Sequence, residues 1–168
     1  MMKLENLRDL FIQHGRELYD CNEQEIAELP KILNEVSSPQ LRKILERQLN
    51  KAENQRVRMR EAFLKINSNP AGEECVPTRS ILKQVHDRIE KSQQENVKDA
   101  GIIAGIQILN HRKISGLGSA ISFAREIGQE ESARSFHEAL LEEKEIDKEL
   151  SELAEKEINR RARLSVHA

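Results

Sequence analysis

Apolar residues recur at steps of three and four along most of the chain, which is the spacing of one face of an α-helix. Residues 4–33 and 39–66 carry this pattern and predict two long helices. Pro30 lies inside the first stretch and is expected to kink or end it, since proline lacks a backbone donor. The Ser37-Ser38-Pro39 segment predicts a capped start for the second helix.

A loop and a shorter helix separate this pair from the rest of the chain. Residues 67–77 are rich in Ser, Asn, Pro and Gly and predict the loop, and Thr78 is a candidate N-cap for a helix that extends through Ile89. Two further long helices are predicted over residues 97–127, which Gly128 would stop, and over residues 130–163. The pattern predicts an all-α fold, although a pair of coiled-coil hairpins would show similar periodicity.

Composition supports this interpretation and narrows the function classes. Aromatic residues make up only 3% of the 168 residues, so the core must be built from Leu, Ile, Val and Ala. The 27 basic and 29 acidic residues are interspersed, which predicts no nucleic-acid partner. No apolar run reaches the roughly 18 residues of a membrane span, so we expect no membrane association and a cytoplasmic location. Cys21 and Cys75 are expected to be reduced thiols, with Cys21 half-buried and inert.

Polar residues interrupt three of the apolar stripes near mid-helix. Glu143 and Asp147 interrupt the fourth long helix, Asn110 and Lys113 the third, and Asn22 the first. Isolated ionised groups are expensive to bury, so these side chains should pair with one another or bind something. The alternative is that they lie at the edge of the stripes and face water.

Several short segments, taken in order, identify a family resemblance. They are Leu18-Tyr19, Leu29-Pro30-Lys31, the Cys75 loop, Gln107 with His111, Gly118 and the LLEEKEID segment of residues 140–147. Over about residues 7–154 the chain resembles the YciE/YciF family of ferritin-like proteins, which are bacterial, stress-associated and often dimeric. The resemblance implies a single domain over residues 1–168, with a core of about 4–163. Its fold would be a ferritin-like four-helix bundle with a short additional helix in the crossover between the second and third long helices.

The resemblance also implies a vestigial metal centre, because members of the family can form a di-metal site from carboxylates of the four core helices. The positions that match it are Asn22, Asn50, Glu53, Asn110, Lys113, Glu143 and Asp147. Three of them are Asn and one is Lys, so most of the anionic ligands are missing. We therefore expect no metal, no other cofactor and no catalytic residue.

Lys113 is expected to replace the metal charge. Its amine should point into the bundle and pair with Glu143, Asp147 or Glu53. Asn22, Asn50 and Asn110 would complete the hydrogen bonds around these groups.

The leading functional hypothesis is a stress-associated structural or interaction protein that acts as a homodimer. Ile102, Ile108, Ile114 and Leu153 lie outside the main stripes and would need a second surface to cover them. One alternative is a carboxylate-bridged iron or manganese protein that reacts with oxygen or peroxide. Another is a helical adaptor without ferritin ancestry.

Overall fold

Every regular element that the structure describes is a helix. The computed structural model describes residues 3–164, and over this range it contains no strand, so the all-α prediction is confirmed. The elements are α1 (Leu7–Asn34), α2 (Pro39–Lys65), α3 (Val76–Lys91), α4 (Glu95–Glu126), α5 (Glu130–Leu153), a π-helical turn (Ala154–Ile158) and α6 (Asn159–Leu164). None of the helices in this range combines the length and apolarity needed to cross a membrane.

Two predicted helix ends are confirmed. The Ser38 hydroxyl accepts a hydrogen bond from the backbone N–H of Leu41 at 3.3 Å, and Pro39 is the first residue of α2. Gly128 follows α4 with a φ of 73°, a left-handed conformation that glycine adopts without a Cβ clash. Local sequence therefore sets the start of α2 and the end of α4.

One of the two expected effects of Pro30 is not seen, and two other helix predictions differ from the structure. Pro30 does not end α1, which continues to Asn34, because Pro30 is exposed and removes only one backbone bond near the helix terminus. The N-cap of α3 is Cys75, and Thr78 is a buried residue of its first turn. The predicted helix over residues 130–163 is interrupted by the π-helical turn.

The four long helices pack in a ring in which α1 contacts α2 and α4, and α5 contacts α2 and α4. One apolar cluster joins the first half of α1 to the second halves of α2 and α4, and includes Phe11, Phe63 and Ile121. The other cluster joins the opposite halves and includes Leu33 and Leu45. These pairings mean that α1 and α5 run in one direction, and α2 and α4 in the other.

The connection between α2 and α4 contains α3, which packs against α4 and α1. Gly105 of α4 lies where a Cβ would collide with the side chain of Val85 of α3. Because Gly105 has no side chain, α3 packs closely against α4. The first residues of α3 consequently lie beside the ring.

A buried carboxylate ties the turn between α1 and α2 to α4. Asp99 accepts hydrogen bonds from the Ser37 backbone at 3.1 Å, the Ser37 hydroxyl at 2.6 Å and the Ser38 backbone at 2.8 Å. Hydrogen bonds to an ionised acceptor are stronger than neutral ones. These hydrogen bonds fix α1 and α2 relative to α4. They therefore help to determine which residues of these helices meet near the middle of the ring.

Candidate functional site

An ammonium group lies at the centre of the ring, between the two apolar clusters. The side chain of Lys113 is only 1% exposed, and its Nζ lies 2.6 Å from Oε2 of Glu25 and 2.6 Å from Oε1 of Glu143. The three residues come from α4, α1 and α5 respectively. We call them the ion triad.

Helix α2 supplies amides to both carboxylates of the ion triad. Gln48 Nε2 donates to Oε1 of Glu25 at 2.5 Å and to Oδ1 of Asn110 at 2.9 Å. Gln55 Nε2 donates to Oε1 of Glu143 at 3.0 Å. All four helices of the ring thus contribute to one buried polar layer.

Several polar atoms of this layer form no hydrogen bond with the described residues. Five buried atoms have no hydrogen-bond partner among these residues: Asn22 Oδ1, Gln48 Oε1, Gln55 Oε1, Asn110 Nδ2 and Glu143 Oε2. Four of the five are oxygen acceptors. The layer is consequently richer in acceptors than in donors, and Lys113 is its main source of positive charge.

Two carboxylates share one ammonium, and the pKa values of Lys113 and Glu143 reflect this imbalance. Burial alone would lower the pKa of Lys113, but the charges of Glu143 and Glu25 more than offset burial and hold that pKa above its usual range. The pKa of Glu143 is raised, first by burial and also by the charge of Glu25, against the opposing effect of Lys113. Lys113 therefore stays charged, whereas burial favours the neutral form of Glu143.

Four of the predicted positions lie in this layer. Asn22, Asn110, Lys113 and Glu143 are all buried, and Lys113 pairs with Glu143 as predicted. Asn110 accepts from Gln48, whereas the amide of Asn22 donates to the sulfur of Met59 at 3.5 Å.

The other three predicted positions do not join the ion triad. Asn50 and Glu53 are exposed, so Asn50 does not complete the hydrogen bonds around the acids as predicted, and Glu53 is not the alternative that pairs with Lys113; α2 is rotated so that other residues face inward. Asp147 is half-buried at the edge, where its carboxylate contacts His111 at 2.9 Å and accepts from Gln107 at 3.2 Å. Ile146 takes the inward position instead.

Glu25, Gln48 and Gln55 were missed by the sequence interpretation, although the chain contains a signal for them. Steps of four and three from Leu41 along α2 arrive at Gln48 and Gln55. The same steps from Leu18 along α1 arrive at Glu25. The apolar neighbours Ile26 and Leu49 are only half-buried, so Glu25 and Gln48 take the inward positions.

Side chains of the types that bind metals are sparse around the layer. Across residues 3–164 there is no group of three or more His, Cys, Asp or Glu side chains placed to hold a metal ion. The two inward carboxylates instead bind the ammonium of Lys113.

Comparison with known proteins identifies the family. The model of the family described as "Domain of unknown function (DUF892)" matches residues 6–163. The chain belongs to the DUF892 family. It is 26% identical over 166 residues to YciF of Escherichia coli K12. The matched region covers 96% of this chain and 98% of YciF. The predicted resemblance to the YciE/YciF proteins is confirmed.

Two solved structures of relatives are similar to this DUF892 chain over most of its length. The crystal structure of the E. coli stress protein YciF matches with a TM-score of 0.88 at 25% identity, over 93% of this chain and 99% of that one. YcfI of Rhodopseudomonas palustris, described as a proposed structural protein, matches with a TM-score of 0.86 at 26% identity. That match covers 89% of this chain and 95% of YcfI.

Replacing the ammonium should destabilise the DUF892 fold strongly. Lys113→Met leaves Glu25 and Glu143 buried without their cation, and we expect a loss of roughly 3 kcal/mol in the free energy of unfolding. Urea denaturation followed by circular dichroism measures this loss.

Lys156→Met is the matched control, because Lys156 is 74% exposed and pairs with Glu152 on the surface. Exposed pairs of this kind contribute little to the free energy of unfolding. Equal effects of the two substitutions would show that the ion triad does not stabilise the fold.

Proposed function

We propose that this protein is a stress-associated structural or interaction protein in which the ion triad takes the place of a metal centre. The observation that carries the proposal is the position of the Lys113 amine, 2.6 Å from each of two buried carboxylates. A cation at that place neutralises acids that a metal would otherwise bind. On this interpretation the protein has no catalytic residue and acts through its surface.

The residues present do not fit a di-iron or di-manganese centre. Two divalent ions bring a charge of about +4 and need several carboxylate ligands. The layer offers Glu25 and Glu143, while Asn22 and Asn110 are neutral and Lys113 adds a positive charge. Repulsion from this ammonium would oppose any cation placed between the same carboxylates.

The ferritin-like assignment is also part of the proposal. Support comes from the directions of the long helices, since α2 and α4 run in parallel and need a long connection, which α3 provides. Ferritin-like bundles are characterised by one long crossover of this kind. We infer one domain in which the vestigial centre is retained as a structural layer.

The role in stress and structure is inferred from relatives. YciF is described as a stress protein, and YcfI as a proposed structural protein. Both are similar to this chain over at least 89% of its length. The absence of a fitting metal-ligand set in the polar layer favours such a role over oxidation chemistry.

A homodimer through the outer face of α4 completes the proposal. Between Asp99 and Arg125, the exposed residues of this helix include no Asp, Glu, Lys or Arg: they are Ala104, Ile108, His111, Ser115, Gly118 and Ser122. In a chain that is 33% charged, such a face is inexpensive to desolvate. Ile108 is 44% exposed, and Leu141 of the neighbouring α5 is 53% exposed.

Three of the four residues that predicted a second surface, Ile102, Ile114 and Leu153, are at least half-buried within the chain. Ile102 is fully buried within the chain and needs no second surface. Leu153 is half-buried and packs against one of the apolar clusters. Ile108 is the member of that set that is clearly exposed.

Metal analysis tests the proposed loss of the centre. Protein purified without chelator should contain far less than one iron or manganese per chain by mass spectrometry. Near-stoichiometric metal would contradict the proposal and favour the alternative of a metal protein that reacts with oxygen or peroxide.

A gain-of-binding variant sharpens this test. Lys113→Glu places a third carboxylate beside Glu25 and Glu143, so we expect Mn²⁺ to raise its melting temperature, because a ligand that binds the folded state stabilises it. Lys113→Met is the matched control and should not respond to Mn²⁺. Wild-type protein whose melting temperature rises with Mn²⁺ as much as that of Lys113→Glu would argue against replacement of the metal.

Substitution on the α4 face tests the dimer. Ile108→Glu should convert a dimer into a monomer in sedimentation equilibrium, because a charge would be buried in an interface of about 1,600 Å². Val57→Glu is the matched control, since Val57 is 52% exposed on α2. A wild-type monomer, or equal dissociation by both variants, would overturn this part of the proposal.

A further inference from the structure

The two cysteines of the chain meet at the junction of α1 and α3. Cys21 and Cys75 are 0% and 1% exposed. The hydroxyl oxygen of Thr78 lies 3.1 Å from the sulfur of Cys21 and 3.0 Å from that of Cys75. Both sulfurs thus lie in one small cluster, although 53 other residues separate them in the sequence.

Backbone anchors hold this pair in place. The N–H of Cys75 donates to Oδ2 of Asp20 at 2.7 Å, and its carbonyl accepts from Nε2 of Gln24 at 3.1 Å. Asp20 and Gln24 are close neighbours of Cys21 on α1, one before it and the other less than one turn after it. The start of α3 is therefore fixed against the part of α1 that carries the partner thiol.

We propose that Cys21 and Cys75 form a redox pair, which a hydroperoxide converts into an intramolecular disulfide between α1 and the start of α3. Such a site is a reversible covalent modification of the chain. It stands on the Cys21–Thr78–Cys75 cluster and does not depend on the proposed function of the ion triad.

The environments of the two thiols suit different roles. The hydrogen bond from Cys21, helped by Thr78 and the charge of Arg112, lowers the pKa of Cys75 to about 6 against the effect of burial. The same hydrogen bond, together with burial, raises the pKa of Cys21. Cys75 is accordingly the nucleophilic thiolate at neutral pH, and Cys21 is the protonated partner.

The reaction balances with hydrogen peroxide as the oxidant. The Cys75 thiolate attacks one peroxide oxygen, the O–O bond breaks, and hydroxide leaves while Cys75 becomes a sulfenic acid. Hydroxide takes the proton of Cys21 to form water, and the Cys21 thiolate attacks the Cys75 sulfur. The S–S bond forms, the S–O bond breaks, and the second hydroxide leaves as water after it takes from solvent the proton that Cys75 released when its thiolate formed. Two thiols are oxidised, and one peroxide is reduced to two waters.

Peptide mapping of peroxide-treated protein tests the proposal. The reduced full-length chain is treated with hydrogen peroxide under native conditions, its remaining thiols are blocked with a maleimide, and it is digested without reductant. We expect both thiols to be lost together, a peptide pair linked through Cys21 and Cys75, and full recovery of both thiols with dithiothreitol. Retention of both free thiols, or disulfides only between chains, would overturn the proposal.

Single-cysteine variants separate the two roles. In Cys21→Ala, the sulfenic acid of Cys75 should accumulate and be trapped by dimedone, because no partner thiol removes it. In Cys75→Ala, Cys21 should react at least tenfold more slowly than the thiols of the wild type. Circular dichroism shows whether each variant folds. If a variant does not fold, the peptide map of the peroxide-treated wild type alone decides whether the proposal holds. Cys21 reacting at the wild-type rate in folded Cys75→Ala would contradict the assigned roles.

Discussion

The contact of Lys113 with Glu25 and Glu143 is the interaction on which the rest of the structure depends. An ammonium that is 1% exposed is tolerable only when its partners are held close, since desolvation of each ion costs several kcal/mol. The contact therefore requires α1, α4 and α5 each to keep one rotation about its own axis and one position along that axis relative to the other two. Asp99 supports the same register from the turn between α1 and α2, and the apolar clusters on either side keep the layer enclosed.

Charge in the layer is not balanced, and this imbalance connects the two polar features of the protein. Lys113 neutralises only one of two acids, so Glu143 has a raised pKa and Gln48 and Gln55 must supply further donors. Cys21 lies close enough for the charges of Lys113 and Glu25 to act on its thiol. The ion triad and the cysteine pair thus lie side by side along α1, one as a fixed polar layer and the other as a reactive cluster.

Sequence predicts the elements of this fold well and the orientation of its helices less well. The stripe of α4 correctly placed Asn110 and Lys113 inside, because aliphatic residues flank them on one face. On α5 the choice of Asp147 over Ile146 follows from a small rotational error in the stripe. On α2, Asn50 and Glu53 were predicted from the family resemblance, whereas Gln48 and Gln55 are the residues that face inward. Pairing of Cys75 with Cys21 depends on the packing of α3, which periodicity alone does not determine.

The most direct test of the central claim is the pH dependence of the free energy of unfolding, compared between wild type and Glu143→Gln. Burial and Glu25 raise the pKa of Glu143 above its ordinary value of 4.5, so the folded state binds more protons than the unfolded state as Glu143 titrates. Wild type should then lose stability relative to Glu143→Gln as the pH rises from 4.5 through the raised pKa. The loss should be roughly 1.4 kcal/mol for each pH unit between the two values, and the difference should then level off. A difference independent of pH, or a wild type that gains on the variant as the pH rises, would contradict a buried layer in which one ammonium serves two acids.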